Sequence, residues 1–327
     1  MDSAPLLFDL GRSPTSRQIA KLVKDGGVAA LPSAIRRGDH ATYQEIHCRS
    51  ALNRVKGMPF FKWTLNPYRG CTHGCHYCFA RRYQTQLELN SGDQFASVIF
   101  VKTNFVDVLR KELDKPKWAR ETIGFGTATD PYQPIEGTYK LSRGVLEALR
   151  DAANPVGIVT KGPMIVRDRD VLLDLAARTT CHIHMSVPTV DEDAWERLEP
   201  GTAHPMQRLR AVRELVDAGL DVGVLMAPIV PGLSSQPAKL ERTIKAIADS
   251  GARSVGAMVM HLEGGTRDHF MRFLSNEFPE LVGRYEHLYA SKYAPKDYTS
   301  RVAEVVGVLK VRYGLKERQG SRPEAAR

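Results

Sequence analysis

The sequence contains no long hydrophobic stretch. None of its apolar runs approaches the roughly 18 residues that a membrane-spanning helix needs, and the most apolar run, residues 222–233, is interrupted by Pro228 and Pro231. Residues 1–17 include two aspartates and lack the basic segment followed by an apolar one that marks an export signal. These absences predict a cytoplasmic protein with no membrane partner.

Cysteine is also scarce, and glycine-rich phosphate-binding motifs and short-period repeats are missing. The chain has 327 residues and only five cysteines. Disulfide bonds are uncommon in the cytoplasm, so the thiols need another explanation. Hydrophobic residues make up 43% of the chain and charged residues 25%, a balance that excludes the disordered and fibrous classes.

The charge balance is basic. There are 46 lysines and arginines against 37 aspartates and glutamates, a formal net charge of +9. Such an excess permits attraction to phosphate groups without identifying a partner. Part of it lies near the C-terminus, where Lys316, Arg318, Arg322 and Arg327 occur close together. This composition predicts a solvated, disordered tail.

From about residue 95 the sequence alternates short β-branched runs with helical periods. The candidate strands are residues 97–101, 122–127, 155–160, 182–187, 222–227 and 254–260. Segments 141–149, 209–216 and 240–248 repeat apolar residues at helical spacing, and Gly219 and Gly251 are predicted to stop two of these helices. Near-continuous apolar strands joined by helices indicate an α/β fold with a parallel sheet. The pattern fits a barrel, a partial barrel or a doubly wound sheet.

Polar residues follow several of the candidate strands. Thr129 and Asp130 come after the second strand. Lys161 comes after the third, and Ser186 lies near the end of the fourth. Functional residues of parallel sheets collect where strands end and loops begin. We therefore expect these four side chains to meet at one edge of the sheet.

Three of the five cysteines, Cys71, Cys75 and Cys78, form a CxxxCxxC spacing. Thiols so close together in a cytosolic chain indicate metal or redox chemistry. Zinc would need a fourth ligand, for which His73, His76 or Cys48 are candidates. An iron–sulfur cluster held by three thiolates would leave one iron open to an external ligand.

The cysteine loop resembles the signature of the radical S-adenosylmethionine superfamily, in which an aromatic residue, here Tyr77, precedes the third cysteine. Further strings resemble one branch of that superfamily, the spore photoproduct lyase-like enzymes. These strings are residues 65–70, 79–81, 127–136, 160–161, 167–168, 199–200 and 227–231. The resemblance covers roughly residues 45 to 270.

The resemblance implies a partial (β/α)6 barrel of the TIM type with N- and C-terminal extensions. It implies that Cys71, Cys75 and Cys78 hold a [4Fe–4S] cluster and that S-adenosylmethionine binds the fourth iron. One electron from the reduced cluster then releases methionine and a 5′-deoxyadenosyl radical, which abstracts hydrogen from the substrate. The cofactors supply the difficult chemistry and the protein orients the reacting atoms.

The resemblance also suggests cofactor contacts for five further residues. Tyr77 is expected near the adenine, and Thr129 and Asp130 near the ammonium group of the methionine moiety. Lys161 is expected to pair with the methionine carboxylate. Ser186 is expected to bond the ribose hydroxyls or the methionine end.

The predicted organisation is an N-terminal extension (residues 1–60), a catalytic core (61–270) and a C-terminal helical region (271–327). The predicted partner is a one-electron donor of the flavodoxin or ferredoxin type. The substrate is open, although the resemblance and the net charge point towards nucleic acid. The alternative is a zinc-containing nucleic-acid-binding module without catalysis.

One position limits the analogy within the branch. Spore photoproduct lyases use a cysteine as a hydrogen donor just after the strand that corresponds to residues 122–127, and the corresponding residue here is Thr127. A hydroxyl cannot replace a thiol in that role, because its O–H bond is much stronger. Cys181 is the alternative thiol that we expect could reach the cavity. The sequence therefore predicts a hydrogen abstraction other than efficient thymine-dimer reversal.

Overall fold

The computed structural model describes residues 16–26, 35–36, 41–87 and 89–315. The strands are β1 (Ile35–Arg36), β2 (Thr42–Ile46), β3 (Asn53–Arg54), β4 (Trp63–Leu65), β5 (Tyr68–Arg69), β6 (Val98–Lys102), β7 (Ile123–Phe125), β8 (Val156–Thr160), β9 (Cys181–Ser186), β10 (Val222–Ile229) and β11 (Val255–Val259). Much of the predicted N-terminal extension and the predicted disordered tail lie outside the described residues.

Helices alternate with the later strands. They are α1 (Ser16–Gly26), α2 (Gln94–Ser97), α3 (Phe105–Leu113), α4 (Glu136–Tyr139), α5 (Leu141–Asp151), α6 (Arg169–Arg178), α7 (Glu192–Leu198), α8 (Pro205–Asp217), α9 (Pro237–Asp249), α10 (Gly264–Glu277), α11 (Val282–Leu288) and α12 (Lys296–Arg312). Among the described residues, 3-10 helices span Phe79–Leu87, Pro163–Asp168 and Pro279–Leu281. Within the part of the chain that the structure describes, no helix is long and apolar enough to cross a membrane.

The main sheet has the strand order β11-β10-β9-β8-β7-β4-β3. Six of these strands, from β4 to β11, are parallel, and β3 pairs antiparallel with β4. Sequential parallel strands separated by helices give the architecture of a partial (β/α)6 barrel. The predicted fold class is confirmed.

One of the six strands predicted for the parallel sheet belongs to a different sheet in the structure. The candidate strand at residues 97–101 corresponds to β6, which belongs to a second sheet of order β1-β2-β6-β5. The first strand of the barrel is instead β4, at Trp63–Leu65. The apolar character of β6 comes from burial between β2 and β5, and a local pattern does not reveal which partner a buried strand takes.

The main core lies between the parallel sheet and its helices. Alternate residues of β8 and β9, such as Ile158, Ile183 and Met185, are fully buried against the helices. Gly219 and Gly251 have positive φ angles of 97° and 78° just beyond α8 and α9, as predicted for helix stops. The residues that alternate with these along each strand face the interior of the barrel. Lys161 and Ser186 belong to this second set and lie at the carboxyl end of the barrel.

Candidate active site

The three cysteines lie in one loop, residues 71–78, which we call the cysteine loop. It connects β5 to the 3-10 helix Phe79–Leu87. Two local backbone hydrogen bonds fold it, from Gly74 N to Cys71 O (3.2 Å) and from Cys78 N to Cys75 O (3.2 Å). Gly74 has a φ of 61°, which glycine adopts without strain. Cys71 and Cys75 are buried, Cys78 is half-buried, and all three are free thiols.

Distant residues hold the cysteine loop in place. Gln133 is fully buried; its Oε1 accepts from the Thr72 amide (3.2 Å) and its Nε2 donates to the Gly70 carbonyl (3.3 Å). The amide of Gly201 donates to His73 O at 3.0 Å. A Cβ at Gly201 would lie 2.1 Å from the Thr72 carbonyl oxygen, so this approach requires glycine.

All eight residues predicted from the sequence line a single cavity at the carboxyl end of the barrel strands. They are Cys71, Cys75, Tyr77, Cys78, Thr129, Asp130, Lys161 and Ser186. Thr129 and Asp130 follow β7, Lys161 follows β8, and Ser186 ends β9. Because these strands are parallel, their carboxyl ends meet at the same edge of the sheet.

The carboxylate of Asp130 joins several parts of this cavity. Its Oδ1 accepts from Thr160 Oγ1 (2.6 Å) and the Tyr132 amide (2.8 Å), and its Oδ2 accepts from the Lys161 amide at 2.6 Å. His73 Nδ1 lies 3.4 Å from Oδ2. Burial would raise the pKa of Asp130, but the charge of His73 and these hydrogen bonds hold it below its ordinary value. Four donors therefore occupy the lone pairs of this carboxylate.

Thr129 is held by the end of β4 and by β5. Asn66 Oδ1 accepts from the amides of Ala128 (3.0 Å) and Thr129 (3.3 Å). The Thr129 hydroxyl donates to the Tyr68 carbonyl at 3.1 Å. The lone pairs of that hydroxyl remain able to accept a hydrogen bond from a ligand in the cavity.

A second buried carboxylate, Glu199, lies beside Lys161. Lys161 Nζ is 2.8 Å from Glu199 Oε1 and 2.6 Å from Ser186 Oγ, and the Tyr77 hydroxyl also donates to Oε1. Arg208 Nη2 donates to Oε2 at 2.5 Å. Burial opposes ionisation of Glu199, yet the charges of Arg208 and Lys161 prevail and lower its pKa to about 2.

Glu199, Arg208 and His73 also belong to the site, although sequence reasoning did not rank them among the cofactor contacts. Glu199 follows α7 and Arg208 lies within α8, and the family-like string at 199–200 was a sequence signal for the first of them. Burial would lower the pKa of His73, but the nearby Cys71 and Asp130 raise it to about 10. His73 thus links the cysteine loop to the strand end that carries Asp130.

The remaining cysteines lie away from the cavity. Thr127, which occupies the position of the hydrogen-donating cysteine in spore photoproduct lyases, lines the cavity as expected. Cys181 begins β9 whereas Ser186 ends it, and five residues of strand span about 17 Å. Cys181 is buried in the main core at the opposite end of the barrel. The expectation that Cys181 could reach the cavity is therefore wrong, because strand direction separates the two ends.

A cluster of aromatic side chains adjoins the cavity, whose lining includes Phe79 and His261. This aromatic rim consists of Phe79, Tyr83, His261 and Tyr293, with ring centroids 6.2 Å apart for Phe79 and Tyr83, 6.4 Å for Phe79 and His261, and 5.8 Å for His261 and Tyr293. Phe79 is 37% exposed and Tyr293 60%.

Two cations flank the aromatic rim. Arg82 and Lys292 both pair with Glu263, the latter at 2.8 Å. The rim thus combines exposed rings with two positive charges shared by one carboxylate.

The three thiols fit a cluster better than a single ion. Within residues 16–26, 35–36, 41–87 and 89–315, no three His, Cys, Asp or Glu side chains are grouped to hold one metal ion. In an iron–sulfur cluster each thiolate binds its own iron, so the thiols need not converge on one point. Burial raises the pKa values of Cys75 and Cys78, and a soft metal centre would deprotonate them on binding.

Comparison with known proteins decides the family. The profile described as Radical SAM superfamily matches residues 65–244 of this chain. The chain belongs to the radical S-adenosylmethionine superfamily. It is also 40% identical over 281 residues to the uncharacterized protein Rv2578c of Mycobacterium tuberculosis, covering 85% of this chain and 82% of that protein.

Two further likenesses concern named radical enzymes. The chain is 25% identical over 198 residues to the radical SAM Nα-GlyT isomerase of Pseudomonas phage M6, covering 58% of this chain and 38% of that protein. The solved structure of spore photoproduct lyase complexed with dinucleoside spore photoproduct superimposes with a TM-score of 0.66 at 14% identity, over 92% of both chains. The latter likeness establishes a shared fold.

Membership of the radical S-adenosylmethionine superfamily confirms three sequence predictions. The protein is an enzyme, it uses a [4Fe–4S] cluster, and it uses S-adenosylmethionine. Enzymes of this superfamily generally need an electron donor. The membership favours catalysis over the alternative of a non-catalytic zinc module.

Proposed function

We propose that Cys71, Cys75 and Cys78 hold the [4Fe–4S] cluster and that the facing edge of the barrel binds S-adenosylmethionine. The observation that carries this proposal is the convergence of three free thiols with hydroxyl, ammonium and aromatic groups in one cavity. When bound, the cluster and S-adenosylmethionine supply a 5′-deoxyadenosyl radical that abstracts hydrogen from the substrate. The residues of this chain bind and orient the reactants and exclude water.

Lys161 is suited to the carboxylate of the methionine moiety. An ammonium group has three N–H donors, and Ser186 and Glu199 take two of them. The third is available to a ligand in the cavity. Ser186 Oγ lies beside this ammonium group and also near the Ala227 carbonyl (3.5 Å), so its hydroxyl is positioned to contact the ribose or the methionine end.

Thr129 and Asp130 are suited to the ammonium end of the cofactor. The Thr129 hydroxyl can accept a hydrogen bond while it donates to Tyr68 O. Asp130 would attract the ammonium through its negative charge, and its hydrogen bonds from Thr160 Oγ1 and the Lys161 amide keep the ends of β7 and β8 together. Tyr77 also lines the cavity, and its ring would contact the adenine.

We further propose that the substrate is a base within a nucleic acid. The aromatic rim offers stacking surfaces, and Arg82 and Lys292 supply positive charge next to it. Spore photoproduct lyase, which shares the fold, is known in complex with a dinucleoside spore photoproduct, and this supports a nucleobase-containing substrate. The electron donor would be of the flavodoxin or ferredoxin type, in keeping with a cytoplasmic enzyme.

Anaerobic reconstitution with iron and sulfide tests the cofactor assignment. We expect an oxygen-sensitive [4Fe–4S] cluster and, with a reductant, release of 5′-deoxyadenosine. The substitutions Cys71→Ala, Cys75→Ala and Cys78→Ala should each abolish both, while Cys48→Ala and Cys181→Ala serve as controls that retain them. Stoichiometric zinc without iron after reconstitution would contradict the assignment.

Binding of single-stranded oligonucleotides tests the substrate class. Removing one stacking ring by Phe79→Ala or Tyr293→Ala should weaken binding by about 1–3 kcal/mol. Met206→Ala, which removes an exposed apolar side chain from α8, is the control and should leave binding unchanged. Equal affinity of the wild type and both rim variants would refute a nucleic-acid substrate at this rim.

A further inference from the structure

The side chain of Arg81 is buried, and its guanidinium group donates hydrogen bonds to the backbone of the cysteine loop. The residue is 2% exposed, and its guanidinium carbon Cζ lies 5.0 Å from the centroid of the Phe95 ring. Its Nε donates to the Cys75 carbonyl (3.0 Å) and its Nη2 to the Gly74 carbonyl. Its Nη1 donates to the carbonyls of residues 91 (3.2 Å) and 92 (2.8 Å). The loop that carries the cysteines therefore encloses a fixed positive charge.

This charge has no carboxylate partner among the residues that the structure describes. Every hydrogen bond of the guanidinium goes to a neutral backbone carbonyl, and it forms no ion pair with any described aspartate or glutamate. Buried charges in proteins are normally paired, because removal of an ion from water is costly. The anionic groups that act most strongly on the Arg81 guanidinium are the thiolates that Cys78, Cys75 and Cys71 provide when deprotonated, and Asp93 adds to them.

We propose that Arg81 is the counter-charge of the iron–sulfur cluster and sets its reduction potential. Reduction adds an electron and makes the cluster more negative. A cation fixed nearby in a medium of low dielectric favours the reduced form, and groups around a cluster are known to tune its potential through charge and hydrogen bonding. Arg81 would therefore act on the cluster through its charge, because its hydrogen bonds go to the backbone of the cysteine loop.

The inference rests on the proposed function, because it requires a cluster on the three cysteines. The experiment is a redox titration of the reconstituted enzyme, followed by the electron paramagnetic resonance signal of the reduced cluster. The variants are Arg81→Gln, which removes the charge, and Arg81→Lys, which retains it. Arg272→Gln is the control, since Arg272 is an exposed cation in the cleft on the outer side of the same loop.

At a fixed applied potential, we expect the ratio of reduced to oxidised cluster in Arg81→Gln to fall at least tenfold, which is about 59 mV for a one-electron couple. The ratio in Arg81→Lys should stay within about threefold of the wild type, and that in Arg272→Gln should not change. If Arg81 only held the loop in shape, the ratio of reduced to oxidised cluster in Arg81→Lys would change by more than threefold, and the change would not depend on the charge of the side chain.

Three results would overturn the inference. They are an unchanged potential in Arg81→Gln, an equal shift in Arg81→Lys and Arg81→Gln, and an equal shift in Arg272→Gln. If Arg81→Gln retains no iron, Arg81→Lys decides: a loaded cluster with a near-native ratio supports the counter-charge, and a tenfold change refutes it. A wild type that binds no cluster refutes the proposed function and this inference together, whereas a loaded wild type with an insensitive potential refutes this inference alone.

Discussion

The side chains of Lys161 and Glu199 form a buried ion pair at the carboxyl end of β8, with Nζ 2.8 Å from Oε1. The two residues are 38 positions apart in the sequence and belong to different strand–helix connections. Arg208 pairs with the other oxygen of the same carboxylate. Glu199 can therefore retain one cationic partner if Lys161 changes, so the contribution of Lys161 to ligand binding can be measured in a folded protein.

Replacing Lys161 should weaken cofactor binding. We expect Lys161→Met to reduce the affinity for S-adenosylmethionine about tenfold to a hundredfold, the value of one hydrogen bond to a charged group. Isothermal titration of the oxidised, reconstituted enzyme measures this change. Lys239→Met is the matched control, because Lys239 forms an equally short ion pair with Asp191 (2.8 Å) and does not line the cavity. Equal affinity of Lys161→Met and the wild type would remove Lys161 from the cofactor site.

The depressed pKa of Glu199 predicts a loss of stability in acid. Its pKa is about 2 in the folded protein against an ordinary value of 4.5, so it favours the folded state above pH 4.5. That contribution is lost as the pH falls from about 5 towards 2. Urea unfolding of the apoprotein across this range should therefore depend less on pH in Glu199→Gln than in the wild type.

The same substitution should lower stability at neutral pH by about 3 kcal/mol, because it leaves Arg208 and Lys161 without their buried anion. Glu241→Gln provides the control, since Glu241 pairs with Arg312 on the surface and its loss should change the urea midpoint little. Identical pH profiles for Glu199→Gln and the wild type would show that this carboxylate does not couple folding to pH.

Replacing Asp130 should loosen the ends of β7 and β8. Asp130→Asn retains the shape of the side chain but removes the charge beside His73 and turns one acceptor into a donor. We expect the free energy of unfolding to fall by about 3 kcal/mol, measured by urea denaturation. Asp151→Asn breaks an ion pair with Arg110 on the surface and should have a much smaller effect. Similar losses for the two variants would contradict the central role of Asp130.

The threonine at position 127 predicts that the enzyme does not repair spore-photoproduct DNA efficiently. Thr127 lines the cavity and Cys181 lies at the other end of β9, so neither provides a thiol hydrogen donor there. We expect no efficient repair of defined spore-photoproduct DNA by the reconstituted enzyme. Release of 5′-deoxyadenosine in the same samples verifies that the cofactors are active. Repair at a rate comparable to S-adenosylmethionine consumption would disprove this expectation.

Local patterns in the sequence predicted which side chains line the cavity. The spacing of Cys71, Cys75 and Cys78 places three thiols in one short loop whatever the rest of the chain does. Apolar runs followed by polar residues predicted Lys161 and Ser186 at strand ends, because parallel strands direct their carboxyl ends to one edge. Both inferences depend on residues that are close in the chain.

The tertiary structure decided the features that depend on distant partners. It assigned β6 to the second sheet, brought Glu199 and Arg208 to Lys161, saturated Asp130 with four donors and separated Cys181 from Ser186 along one strand. Strand pairing and buried ion pairs form between segments tens of residues apart, and their geometry depends on how all the intervening elements pack. Residue identity and spacing therefore determined which chemical groups lie at the strand ends, and packing determined which partners from distant segments join them.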